Sequence, residues 1–350
     1  MDLNSISRIW RVAAATFSVA ALAACSSSTV DEPDEAKMPL TFKVSASDSR
    51  AMATKTTFET DGCAFNVWGL FYNPFGGTGV FPIFDARTVT LNSGVWSYEN
   101  EEYWMPGFTY EFRALYPAAL PQGAAVVYTT GSGANSHIAV NNFTARGTDL
   151  MSASDQRTVL AAGGTQPAVD FKFRHLLSRV TFKGRSDDRY LGADGKPDAN
   201  ARKIKVLSFK VTGIADTGSW DGTNFAADGS NLGGWTRGEQ TATYTAPIDA
   251  NGLELGNDPV DIFGSNDVIL AIPQAFTALK VDITYVFTEG TQGEQTATST
   301  LSGTWLPGKS YSYNFALNTH IFFDIPVVED WTTAPVNNPD LNIDLPRNNP

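Results

Sequence analysis

The chain has 350 residues, of which 42% are hydrophobic and 12% aromatic, and its formal net charge is −12. These proportions support a sizeable core, and the length suits two domains better than one. The acidity argues against nucleic acid and anionic lipid headgroups as partners.

At the N-terminus, Arg8 and Arg11 precede an apolar run from Val12 to Ala24. This is the layout of a secretory signal, and the run is too short to span a bilayer. Leu22, Ala23 and Ala24 stand just before Cys25. They are the small and apolar residues a signal peptidase pocket accepts, and the cysteine thiol can take a diacylglycerol. LAAC thus resembles a bacterial lipobox, so residues 1–24 are expected to be a signal peptide and Cys25 to carry lipid. Each buried lipid methylene contributes about 0.8 kcal/mol to anchoring. With Cys25 lipidated, Cys63 is the one thiol left and no intramolecular disulfide can form. Residues 26–39 are polar, acidic and without hydrophobic period, so 25–39 reads as a lipidated tether. Its acids Asp31, Glu32, Asp34 and Glu35 suit either a solvated linker or a sorting signal for surface display.

From Leu40 onward the main signal is alternation with period two, as strands with one buried face require. In the segment 107–117, Phe108, Tyr110, Phe112, Ala114 and Tyr116 share one face, while Thr109, Glu111 and Arg113 point away. Further on, VDFKFRHLLSRVTF changes phase: Val169, Phe171, Phe173 and His175 share one set, Val180 and Phe182 another. KIKVLSFKV does the same, Ile204 and Val206 giving way to Leu207, Phe209 and Val211. An extra residue turns every later side chain over, so bulges are expected near Leu176–Ser178 and Val206. Leu279, Val281, Ile283, Tyr285 and Phe287 alternate cleanly, as do Tyr311, Tyr313, Phe315 and Leu317. No helix longer than about three turns is expected. The connections are rich in Gly, Asn, Asp, Thr and Pro, which is turn chemistry. The chain therefore reads as all-β, in sandwiches. The expected seam at AAGGTQPA, residues 161–168, separates an N-terminal sandwich over 40–165 from a C-terminal one over 166–335, with an alternative break in the loop from Gly184 to Arg202.

Catalytic patterns are missing. His137, His175 and His320 occur in no metal-ligand or nucleophile-activating spacing, and His175, in phase with Phe171 and Phe173, reads as a hydrogen-bonded core histidine. There is no GxSxG elbow, and the glycine runs lack the features of a phosphate cradle. The aspartates of loop 187–198 invite a calcium reading, but Lys196 stands where an oxygen ligand is required. Glu99, Glu101 and Glu102 read as a charged turn more readily than as an acid and base for sugar chemistry. No catalytic residue, metal or cofactor is expected. The eight tryptophans allow a rival reading, a monomeric surface lipoprotein that binds glycan through exposed aromatics, although burial is the default for Trp96 and Trp104.

A series of segments carries a resemblance: WSYENEEYWMPGFTYEFRALYP (96–117), TDLMSAS (148–154), VDFKFRHLLSRVTF (169–182), LAIPQ (270–274), WLPGKSYSYNFAL (305–317) and VVEDW (327–331). In this order, behind a lipobox, they resemble the landmarks of fimbrillin-like proteins of the Bacteroidota. The resemblance implies two transthyretin-like β-sandwich domains in tandem and a role in type V pili. It implies a lipoprotein at the outer membrane or in the fimbrium, whose partners are other pilus subunits and a host or bacterial surface glycan or protein. In such proteins an arginine-directed protease removes the first strand, and a neighbour's strand fills the opened groove. By the same resemblance LTFKV (40–44) matches the removable strand and Arg50 the cleavage position. Residues 336–350, in which Leu341, Ile343 and Leu345 alternate, are expected to act as a donor strand or as the C-terminal arm of such proteins.

Overall fold

A computed structural model of the chain describes residues 38–44, 58–76, 79–131, 136–159, 166–186, 203–264, 268–288 and 293–331. Leu22, Ala23, Ala24, Cys25, Arg50, Leu341, Ile343, Leu345 and the loop 187–198 lie outside the described residues. Regular structure among the described residues is all β, in strands numbered β1 to β23 in chain order.

The first six-stranded sheet runs in the order β10 (Arg174–His175), β8 (Met151–Thr158), β5 (Thr109–Tyr116), β2 (Ala64–Tyr72), β3 (Val80–Asn92) and β4 (Val95–Ser97). Against it lies a two-stranded sheet in which β1 (Phe42–Val44) runs parallel to β9 (Val169–Phe171). Between them is an aromatic core that includes Phe42, Phe65, Phe84, Tyr110, Phe112, Phe171 and Phe173.

A second core is enclosed by two other sheets. One holds β17 (Val260–Asp261), β11 (Ser178–Ser186), β21 (Lys309–Leu317) and β22 (Ile321–Phe323), with β18 (Ile269–Ala271) also pairing β11 and β23 (Val327–Asp330) also pairing β21. The other runs β15 (Ala242–Thr245), β12 (Ile204–Ile214), β19 (Gln274–Phe287) and β20 (Gln295–Trp305), with β16 (Leu253–Leu255) also on β12. Val281, Ile283, Tyr285, Tyr311, Tyr313 and Phe315 all enter this core, so the alternation of β19 and β21 is fulfilled.

A four-stranded sheet has no counterpart in the sequence reading. It pairs β6 (Ala125–Thr129) and β7 (His137–Thr144) with β13 (Thr217–Asp221) and β14 (Gly234–Arg237), and so draws strands from both sides of the expected seam. Its residues Ile138, Val140, Phe143 and Trp220 meet Trp68 and Leu115 from the back of the first sheet. The second face of β5, read as pointing away from the core, is consequently covered. Glu111 is 1% exposed, accepts a hydrogen bond from Ser136 Oγ at 2.8 Å, and lies beside Arg113, whose Nε donates to the Ser136 carbonyl at 2.9 Å. The described residues from Met38 to Trp331 belong to one compact unit.

Both phase slips have structural causes. In β12 the register against β19 shifts between Val206 and Ser208, so Leu207 is the extra residue and the expected bulge is there. At Leu176–Leu177 the chain changes sheets: β10 pairs β8, whereas β11 pairs β18 and β21. Val169, Phe171 and Phe173 fill the first core, while Val180 and Phe182 fill the second.

Candidate functional site

The segment 38–44 is the place where a short stretch of chain completes a core built by others. Met38, Leu40 and Phe42 are 7%, 2% and 5% exposed, while Thr41 and Lys43 face outward, which is the alternation of a half-buried strand. The tether boundary drawn at residue 39 gave Met38 and Pro39 to the linker. The structure packs Met38 in the first core and bridges Pro39 to Tyr103. Period two, extended two residues upstream through MPLTFKV, is the signal that would have found them.

Main-chain bonds hold the segment along both sides. On one side Leu40 N donates to Glu102 O at 2.8 Å and Trp104 N to Met38 O at 2.9 Å. On the other, Val169 N donates to Thr41 O at 2.8 Å, and the parallel register pairs Phe42 with Val169 and Val44 with Phe171. The Tyr98 hydroxyl donates to Leu40 O at 2.7 Å and accepts from Glu102 N at 3.2 Å. Burial pushes this phenol above its ordinary pKa, which keeps it a donor. The Phe42 ring sits among Phe84, Tyr98, Phe112 and Phe171, with centroids 5.7, 5.5, 6.2 and 5.6 Å away. The Lys43–Asp170 pair at 3.3 Å is solvent-facing and contributes little. What surrounds the segment is therefore a groove with main-chain partners on its two walls and an aromatic floor, the form that accepts an extended peptide with apolar residues at alternate positions.

Other features expected from the sequence turn out to be structural. Burial pushes the Cys63 thiol up to about 11, so it carries very little thiolate near neutrality. Glu101 accepts from the Tyr103 hydroxyl at 3.1 Å, and Glu102 serves the first strand through its main chain. Trp68, Trp104, Trp220, Trp305 and Trp331 are buried, and Trp96 and Trp235 are half-buried. Among the described residues, no indole is exposed to stack on a sugar.

A second constellation forms around His175, which is the hydrogen-bonded core histidine expected from its phase with Phe171 and Phe173, with partners that the sequence did not bring together. Asp149 and His175 are almost fully buried, and the imidazole Nδ1 lies 2.8 Å from Asp149 Oδ2. The carboxylate is an acceptor, so Nδ1 holds the proton. Trp331 stacks on the imidazole with centroids 3.8 Å apart and planes 8° from parallel. Trp331 N donates to Gly308 O at 2.8 Å, and Gly308 N to Leu177 O at 2.9 Å. Gly308 has φ +66°, where any L side chain is strained, and a Cβ there would crowd the His175 carbonyl oxygen at 3.2 Å. The segments TDLMSAS, VDFKFRHLLSRVTF, WLPGKSYSYNFAL and VVEDW thus converge on one point, where the chain passes from the first core to the second.

The sequence profile of the fimbrillin-like family matches residues 41–331. No curated protein matches the chain. Among solved structures, it is similar to a provisionally assigned cell adhesion protein from Bacteroides ovatus at 14% identity and a TM-score of 0.50, covering 86% of this chain and 100% of that one. It is also similar to a fimbrial assembly protein from Parabacteroides distasonis, at 9% identity and a TM-score of 0.37, covering 84% and 96%. The profile match takes in residues 41–44 of the groove-filling segment, the rest of both cores and Trp331 at its final residue, and on that match the chain belongs to the fimbrillin-like family.

Proposed function

We propose that the protein is a structural or adhesive subunit of a surface fimbria, without a catalytic role, and that it assembles by exchanging the strand at 38–44 for one from a neighbouring subunit. Family membership supports the fimbrial part of this reading. The observation that carries the exchange is Phe42: a ring packed on four others, delivered by a segment whose main-chain partners all come from elsewhere in the chain. Arg50 lies six positions after Val44. Cleavage there would free the strand and open the groove. The arm 336–350, with Leu341, Ile343 and Leu345 at alternate positions, has the side-chain spacing of the strand it would replace. We assign lipidation to Cys25, behind Leu22, Ala23 and Ala24, with export to the outer membrane. In this scheme the lipid leaves with the residues before Ala51 when Arg50 is cut. The two cores support two sandwich units, with the handover at Leu176–Leu177.

Deletion of residues 336–350 should abolish the heat-labile ladder that strand-exchanged polymers give on a denaturing gel. A normal ladder from the truncated protein would remove the tail from this scheme.

A further inference from the structure

The outer edge of β20 departs from the way the other sheet edges are built. It is the last strand of its sheet and pairs β19 alone. Among the described residues no main-chain bond reaches its far side. Unpaired edges are templates for another chain and are usually blunted by charge, proline, bulges or brevity. Elsewhere these devices are present. Along β3, Pro82, Asp85 and Arg87 stand beside a register shift and Ala86 at φ 50°; β23 carries Glu329 and Asp330, and β6, though uncharged, has five residues. β20 has eleven residues, with no charged side chain and no proline, and its one irregularity is the register shift against β19 between Leu301 and Gly303.

The sequence of β20 is also close to self-complementary. Reversed about Thr300, Thr296 falls opposite Thr304, Ala297 opposite Gly303, Thr298 opposite Ser302, and Ser299 opposite Leu301. Thr296, Thr298, Thr300, Ser302 and Thr304 are all exposed. Paired hydroxyl side chains facing one another across two strands are favourable. In the row behind, Asp282 is engaged by Lys280 at 2.9 Å and by Thr298 Oγ1 at 2.7 Å, so its charge is already met. In a chain of net charge −12, copies repel through most of their surfaces, and an uncharged strip is where they can approach.

We propose that β20 is a lateral contact between copies of this chain: it pairs antiparallel with β20 of a second copy, on a two-fold axis through Thr300, and joins the two sheets into one. Such an isologous contact closes on itself. It is separate from the groove at 38–44 and independent of strand exchange, so subunits assembled end to end could also associate side by side.

The test is register-specific cross-linking in the full chain from residue 25, with Cys25→Ser and Cys63→Ser. Thr300→Cys should form a reducible dimer under mild oxidation, because directly opposed positions meet disulfide geometry. Thr296→Cys alone should not, because in this register the two copies of residue 296 are about 26 Å apart, whereas Thr296→Cys combined with Thr304→Cys should. Thr300→Lys should reduce the dimer fraction in sedimentation while leaving the unfolding midpoint unchanged at dilutions where the parent is monomeric. Equal cross-linking at 296 and 300, no cross-linking at 300, or a parent protein that stays monomeric at its highest soluble concentration would each overturn the proposal.

Discussion

Phe42→Ala should lower the unfolding free energy of the uncleaved protein by about 3–5 kcal/mol, read from the urea midpoint. The ring is 5% exposed and stacks at 12° on Phe171 while meeting Phe84, Tyr98 and Phe112 edge-on or tilted. Truncation would lose the transfer free energy of the ring and leave a cavity whose walls are rigid aromatics, poorly able to close. Lys43→Ala next to it should change stability by less than about 1 kcal/mol, because its ion pair is largely hydrated. The contrast between adjacent residues separates core completion from general strand content. It also bears on function, since a subunit that has exchanged its first strand no longer contains Phe42 and should be unaffected.

The second large effect is expected at His175. His175→Ala removes the partner of Asp149 Oδ2, and Asp149 Oδ1 has no hydrogen-bond partner among the described residues. The substitution therefore strands a buried carboxylate, and breaking a buried pair in this way costs about 3–5 kcal/mol. It also removes the face on which Trp331 stacks. Trp331 should then become more solvent-accessible, giving red-shifted emission that Trp331→Phe in the same background abolishes. His175→Ala combined with Asp149→Ala should cost clearly less than the sum of the single substitutions, because the double variant leaves no unpaired charge. Additive losses would mean that the two side chains contribute independently.

How much of this was legible in the sequence depended on where burial comes from. In β19 and β21 the core lies on one face, so alternation alone located Val281, Ile283, Tyr313 and Phe315. In β5 it identified Tyr110, Phe112 and Ala114 but misjudged Glu111, because the strands covering that side come from residues 125–144 and 217–237, and local periodicity carries no information about such distant pairing. The slip after His175 was visible as a change of phase. Its meaning, a handover between cores, required knowing that β10 and β11 have different partners. His175 was legible as a hydrogen-bonded core histidine, but its partner Asp149 lies 26 residues away and Trp331 much further on, and neither of these stood out. β20 gave no signal because its alternating positions are threonine and serine, and an unpaired edge shows only once the sheet order is known.

The central claim, that the segment at 38–44 is exchanged and not permanent, is tested most directly by mass spectrometry of the subunits recovered from polymer. The account predicts subunits that begin at Ala51 and lack Met38, Leu40 and Phe42, in the same preparation as monomer that retains them. Polymer built from subunits that still begin at Cys25, with the first strand in its groove, would contradict it.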